Sequence, residues 1–141
     1  MKDNLTNLIW LKNANCFGGQ TWPDALIAAN NLHDTGTTTT TDDCGLSDGS
    51  LAGDWRLPNV KELQSLIDFG FFGPALSNAA GTVKWMEGDA FSGVQSTVYW
   101  SSTTSAGNPG RAWGVFLFDG VTGAFGKGVT NLVWPVRGGA E

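Results

Sequence analysis

The sequence predicts an α+β domain, and three observations carry that assignment. Two segments of the first half, about 22–33 and 60–68, repeat apolar residues at helical spacing. From Val98 onward the chain turns to short strand-like runs bounded by glycine, asparagine and aspartate. The stretches between them, 34–53 and 69–97, have no periodicity and read as long irregular loops. Helices that precede an antiparallel sheet, instead of alternating with its strands, are the α+β pattern. At 141 residues the chain, 1–141, is read as one domain with room for its own core.

The elements follow in order. "LTNLIWLK" (5–12) is a short strand-like run. In "QTWPDALIAANNLHDTG", Thr21 is placed to cap a helix, Pro23 sits in its first turn and Asp24 is placed for a capping box. Trp22, Ala25, Leu26, Ala29 and Leu32 recur on one face, and Gly36 lies just past the end. His33, the single histidine, falls at the helix C-terminus, where a cation suits the helix dipole. In "DWRLPNVKELQSLID" (54–68), Asn59 caps, Glu62 stands three residues on, and Val60, Leu63, Leu66 and Ile67 form an apolar stripe. Trp85 and Phe91 are expected to anchor the irregular middle from beneath. Strands are expected at 98–102, 112–118, about 121–126 and 131–137, with Asp119-Gly120 as a hairpin turn.

Composition excludes some functions. A net charge of −5 argues against nucleic acid as a partner, because phosphate binding needs a basic surface. Seven tryptophans are a heavy aromatic load, suited to a core or to a recognition platform. Cys16 and Cys44 fit no zinc spacing. Their even count, the few charges and the Thr-rich loop predict one disulfide in an exported domain. Asp42, Asp43 and Asp48 raise the question of calcium, although their spacing lacks the order of an EF-hand loop. "MKDNLTN" is too polar for the apolar region of a leader, and no membrane span or membrane insertion is read.

"AWGVFLFDG" (112–120) breaks the alternation expected of a half-wet strand. Trp113, Val115 and Leu117 make one apolar face and are assigned to the core with Trp55, Leu63 and Trp100. Gly114, Phe116 and Phe118 make a second face that also needs cover. That cover is expected from a partner, either a ligand or another copy of the chain.

Taken together, "DWRLPNVKELQSLID", "YWSSTT", "RAWGVFLFDG" and "WPVRGG" resemble the bacterial family typified by the C-terminal domain of the collagen-like adhesin Lcl. The resemblance runs from "NLIWLK" to "VRGG" and implies a C-type lectin-like fold, related to formylglycine-generating-enzyme-like domains, with two helices on an antiparallel sheet. Asp54, Trp55, Arg56, Leu57 and Pro58 match the family's turn into the second helix, where Arg56 is expected to pair with a carboxylate and Trp55 to fill the core. Tyr99, Trp100, Ser101 and Ser102 match its strand, and Trp113, Val115 and Leu117 match its buried face.

The resemblance also implies a ligand face on the C-terminal strands and loops. Those segments carry Ser105, Asn108, Arg111, Phe116, Phe118, Asp119, Phe125, Lys127, Asn131 and Trp134. Lectins of such folds use Glu-Pro-Asn or Gln-Pro-Asp turns to hold calcium and sugar. "GNPG" (107–110) has neither the preceding acid nor a side chain after the proline, which argues against a calcium-dependent sugar site. No cofactor is expected, with calcium as the alternative. The related enzymes need reactive cysteines, and neither Cys16 nor Cys44 has a basic neighbour in sequence. The expected function is therefore non-enzymatic: an extracellular or cell-surface ligand-binding domain, adhesin or receptor head, for a glycan or protein. The alternative is a structural subunit that builds a homo-oligomer or filament through the same apolar face.

Overall fold

The computed structural model describes residues 6–35, 44–46, 48–78, 80–88 and 91–138. The elements run β1 (Leu8–Trp10), α1 (Trp22–Asn31), α2 (Val60–Gln64), β2 (Val98–Thr104), β3 (Arg111–Phe116), β4 (Thr122–Gly126) and β5 (Val136–Gly138). Both sheets are antiparallel. One pairs β1 with β5, and the other is the meander β2–β3–β4. Two helices and two antiparallel sheets make this the α+β class read from the sequence.

Helix α1 begins where Thr21 and Pro23 place it, yet Thr21 makes no side-chain capping bond. Its carbonyl instead accepts the N–H of Ala25 at 2.7 Å. The helix stops at Asn31, short of His33, because Leu32 turns extended (φ −61°, ψ 127°) and is buried in the core. Burying a leucine contributes about 1.5–3 kcal/mol, which outweighs the roughly 1 kcal/mol of one further helical hydrogen bond.

Helix α2 starts with the full capping box. The Asn59 side chain accepts from the Glu62 N–H, and the Glu62 carboxylate accepts from the Asn59 N–H, both at 2.8 Å. Arg56 closes on the same carboxylate with two bonds of 2.6 and 2.7 Å, the ion pair anticipated for it. Hydrogen bonding to Glu62 raises the Arg56 pKa. For Glu62, burial pushes the other way but loses to the bonds from Arg56 and Asn59, and the carboxyl sits below its ordinary value. The helix is shorter than the stripe over 60–68 suggested. Tight turns carry the chain through Leu66 and Ile67, and the Asp68 N–H then bonds to the Ala75 carbonyl at 2.9 Å.

The main sheet separates two apolar clusters, which explains the unusual reading of residues 112–118. Tyr99, Val115 and Leu117 pack with Leu63, Trp10, Trp55, Phe91 and Trp134. Trp100 and Ala112 pack with Ala25, Ala29, Leu57 and Val133. Consecutive residues of β2 and of β3 thus point into different cores, as strand alternation requires. Gly114 belongs to the second side. A Cβ there would lie 2.9 Å from Val98 and 3.2 Å from the Phe125 ring, so only glycine lets the strands and Phe125 close on each other. The part of the second face at Ala112 and Gly114 is therefore covered by the protein's own chain, not by a partner.

Five of the six residues assigned to the core are there: Trp55, Leu63, Trp100, Val115 and Leu117. Trp113 is not, and remains half-buried. It stands on the same face as Val115, but its cross-strand neighbour is Ala124, too small to cover an indole. Trp134, taken with the surface segments, is wholly buried. Its Nε1 donates to the Leu11 carbonyl at 2.8 Å, and Phe91 meets its ring edge-on at 4.9 Å. Phe91 anchors the irregular middle as expected, with Trp85 packed against the same cluster.

Candidate ligand-binding surface

The β2–β3 and β3–β4 turns lie at opposite ends of the main sheet, and they divide the candidate residues between them. Arg111 opens β3 opposite Gly126, and Phe116 closes it. Five residues of strand separate the two by about 16 Å. The expected neighbourhood of Phe116, Phe118, Arg111 and Asn131 is thus not formed.

The β2–β3 end is polar. The Asn108 side chain accepts from the Gly110 N–H at 3.1 Å. Ser105 is buried and donates its N–H to the Arg111 carbonyl at 2.9 Å. Arg111 is exposed. Lys127 lies 4.1 Å from the centre of the Trp22 ring and donates to the Thr104 hydroxyl at 3.1 Å. Phe125 is half-buried, edge-on to Trp100 at 6.4 Å. Asn131 exchanges two backbone bonds with Gln20, while its side-chain nitrogen is buried with no partner among the described residues.

The β3–β4 end is aromatic. Phe118 stands 6.0 Å from Phe116 on one side and 6.0 Å from Phe72 on the other. Phe69 lies against Gly120 in the turn, so closely that a Cβ on Gly120 would sit 2.8 Å from its ring. Gly120 also has φ +85°, which the hairpin turn needs. Phe69, Phe72, Phe118 and Val121 are 78, 68, 42 and 59% exposed. Together they present on the order of 400 Å² of apolar surface, the size at which an exposed patch marks an interaction site. Asp119 is exposed, with its carboxylate accepting the Val121 N–H at 3.0 Å.

Sequence reasoning singled out Phe116, Phe118 and Asp119 at this end but missed Phe69, Phe72 and Val121. Its available signal was "FGFFG" (69–73). Three phenylalanines between glycines, without helical or strand period, have no element that would bury all of them.

Cys16 and Cys44 form the expected disulfide, with Cα atoms 5.8 Å apart and 28 residues of separation. Of the acidic residues considered for calcium, Asp42 and Asp43 lie outside the described residues. Asp48 bonds to Arg137 at 3.0 Å and accepts the Ser50 N–H at 3.0 Å. Burial works against its charged form, but the bonds from Ser50 and Arg137 prevail and lower its pKa. His33 sets Nδ1 2.7 Å from the Asn31 carbonyl. Among the described residues no helix is long and apolar enough to cross a membrane.

The motifs that shape this surface, "DWRLPN" at the α2 cap and "RAWGVFLFDG" through β3 and its turn, lie inside one match to a family model. That model is the Lcl C-terminal domain, and it spans residues 1–137. The chain belongs to the Lcl C-terminal domain family. Within this member, the signature turn at 54–58 is structural: Trp55 is core, and Arg56 holds Glu62 and the Gly138 carbonyl. No curated protein matches the chain.

Proposed function

We propose that this member of the Lcl C-terminal domain family is an extracellular or cell-surface recognition domain, adhesin-associated and non-catalytic. It binds a glycan or protein ligand through the aromatic cluster at the β3–β4 turn. The observation that carries the reading is the exposure of Phe69, Phe72, Phe118 and Val121 at one end of the main sheet. Aromatic side chains are the usual anchors of recognition surfaces, because they offer large contact area at little entropic cost. The Cys16–Cys44 bond supports an oxidising setting. A non-catalytic role is supported by both cysteines being bonded to each other and by the His33 ring being engaged with the Asn31 carbonyl just past α1. The net charge of −5 supports a partner other than nucleic acid.

The test is a glycan and protein array probed with the wild type and with a Phe72→Ser, Phe118→Ser double variant. Truncating such anchors costs about 2 kcal/mol or more, roughly thirtyfold in affinity. Equal binding by both proteins would remove this site from consideration. Sedimentation of the wild type distinguishes the structural-subunit alternative: a ligand-binding head is a monomer, whereas assembly through the cluster gives an oligomer that the double variant loses.

A further inference from the structure

The main sheet has two edges, and the chain treats them differently. Along the outer edge of β2, Trp100 N–H bonds to the Leu132 carbonyl at 2.9 Å, Leu132 N–H to the Val98 carbonyl at 3.0 Å, and Ser102 N–H to the Pro58 carbonyl at 2.8 Å. That edge is covered. On the β4 side, two bonds fix the phase of the ladder: Phe116 N–H to the Val121 carbonyl at 2.8 Å, and Lys127 N–H to the Gly110 carbonyl at 3.0 Å. Residues 121, 123, 125 and 127 thus face β3, and Thr122, Ala124 and Gly126 turn their N–H and C=O groups outward. On that side the Gly126 carbonyl accepts from Val129 at 3.1 Å, and the outward backbone groups of Thr122 and Ala124 find no partner among the described residues.

Exposed strand edges are templates for pairing, and proteins normally blunt them with proline, an inward charge, a bulge or a covering loop. Within Thr122–Gly126 there is no proline, lysine or acid, and the β3–β4 register runs without interruption. We infer that this edge accepts an extended segment of a partner protein as a fourth, antiparallel strand, with a bulky apolar residue opposite Ala124 and an acidic residue toward Arg111.

The side chains argue for that chemistry. Ala124 and Trp113 are cross-strand neighbours on one face, and the indole is left half-covered. A large apolar side chain on an added strand reaches over the alanine methyl to the indole. At the Gly126 end, Arg111 is exposed on the face that Trp113 and Ala124 share, so a carboxylate there meets positive charge. A second copy fits less well. Pairing β4 with itself sets small residues against small residues, leaves Trp113 uncovered and brings together two chains of net charge −5. Main-chain bonds at the edge give the affinity in such strand addition, and alternate side chains give the specificity. The inference rests on the edge and is independent of the aromatic cluster.

The test uses the whole chain and a phage-displayed library of short unstructured peptides. Enriched peptides are expected to carry bulky apolar residues at alternate positions and Asp or Glu at one end. Bound to the native protein, a synthetic copy of one should slow hydrogen exchange at the Thr122 and Ala124 amides, which should exchange rapidly in the free protein. Ala124→Pro removes an outward N–H at an edge position, where proline is tolerated, and should weaken binding roughly tenfold. The exchange footprint gives a readout that does not depend on the folding of that variant. The Phe72→Ser, Phe118→Ser protein should bind the peptide as the wild type does, which separates this edge from the aromatic site. Failure to enrich any alternating peptide would overturn the inference, as would a footprint elsewhere. So would concentration-dependent protection of Thr122 and Ala124 in the free protein, which would mean that a second copy takes the edge.

Discussion

Tyr99 shows what a single side chain does for this fold. It is the chain's only tyrosine and is fully buried. Its hydroxyl donates to the Ala14 carbonyl at 2.8 Å and accepts the Gln95 N–H at 3.1 Å. Burial pushes its pKa up to about 12 from 10.0, against the smaller opposing effect of the Gln95 bond. The neutral phenol is therefore the form the fold favours. Its contribution is complete below pH 10 and is lost as pH rises toward 12. A spectroscopic titration should show phenolate appearing only near the upper value or together with unfolding. Ionisation near pH 10 in the folded protein would contradict this burial. Tryptophan substitutions should be equally telling: Trp100→Ala, in a closed core, should cost about 3–5 kcal/mol, and Trp113→Ala clearly less. Equal losses by chemical denaturation would mean that Trp113 is more enclosed than its neighbour Ala124 allows. The sequence could not separate these two residues, because alternation assigns a face and says nothing about how well that face is covered.

Among the elements, α2 was the most legible, because its signal is local. Asn59, Glu62 and Arg56 are within six residues of one another, and all their bonds form. The Glu62 carboxyl is held below its ordinary value of 4.5, so its contribution is present above that pH and fades as pH falls through the lowered value. Glu62→Gln should consequently flatten the acid limb of the stability curve, and Asn59→Ala should cost about 1 kcal/mol at neutral pH. An unchanged acid limb in the glutamine variant would show that the pair does little in solution. Elements shaped by distant contacts were less legible. Helix α1 ends early because Leu32 is drawn into a core whose members run from Leu8 to Val136. The strand expected over 131–137 is instead a bridge at Leu132 beside Tyr99 followed by β5, a division that only the tertiary arrangement imposes.

At the scale of the whole molecule, four long-range indole and phenol bonds tie the first residues to the last half: Trp22 to Ser101, Trp100 to Gln20, Trp134 to Leu11 and Tyr99 to Ala14. The disulfide adds a covalent tie across 28 residues, which chain-entropy reasoning values at roughly 3–4 kcal/mol. A Cys16→Ser, Cys44→Ser protein should lose about that much in urea unfolding while keeping the β2–β3–β4 sheet. Loss under about 1 kcal/mol would show that the bridge constrains little of the unfolded chain. The fold class and disulfide were legible because composition and order of elements express them. The candidate surface was legible only in part. Phe116 and Phe118 stand out in a strand, whereas Phe69 and Phe72 join them through a loop whose path no periodicity records.

The pairing of β1 with β5 has a mechanical consequence. Leu8 lies opposite Gly138, so the two ends of the described chain emerge side by side at the same end of a short antiparallel ladder. Tension applied between those ends would peel the ladder one bond at a time, instead of shearing all its bonds at once. Such unzipping yields at low force, and the domain would extend early under load. The Cys16–Cys44 bond would then hold its 28-residue loop closed and withhold on the order of 90 Å of slack. A domain held from one end alone carries no tension between its two ends, and the ladder would not be unzipped in this way.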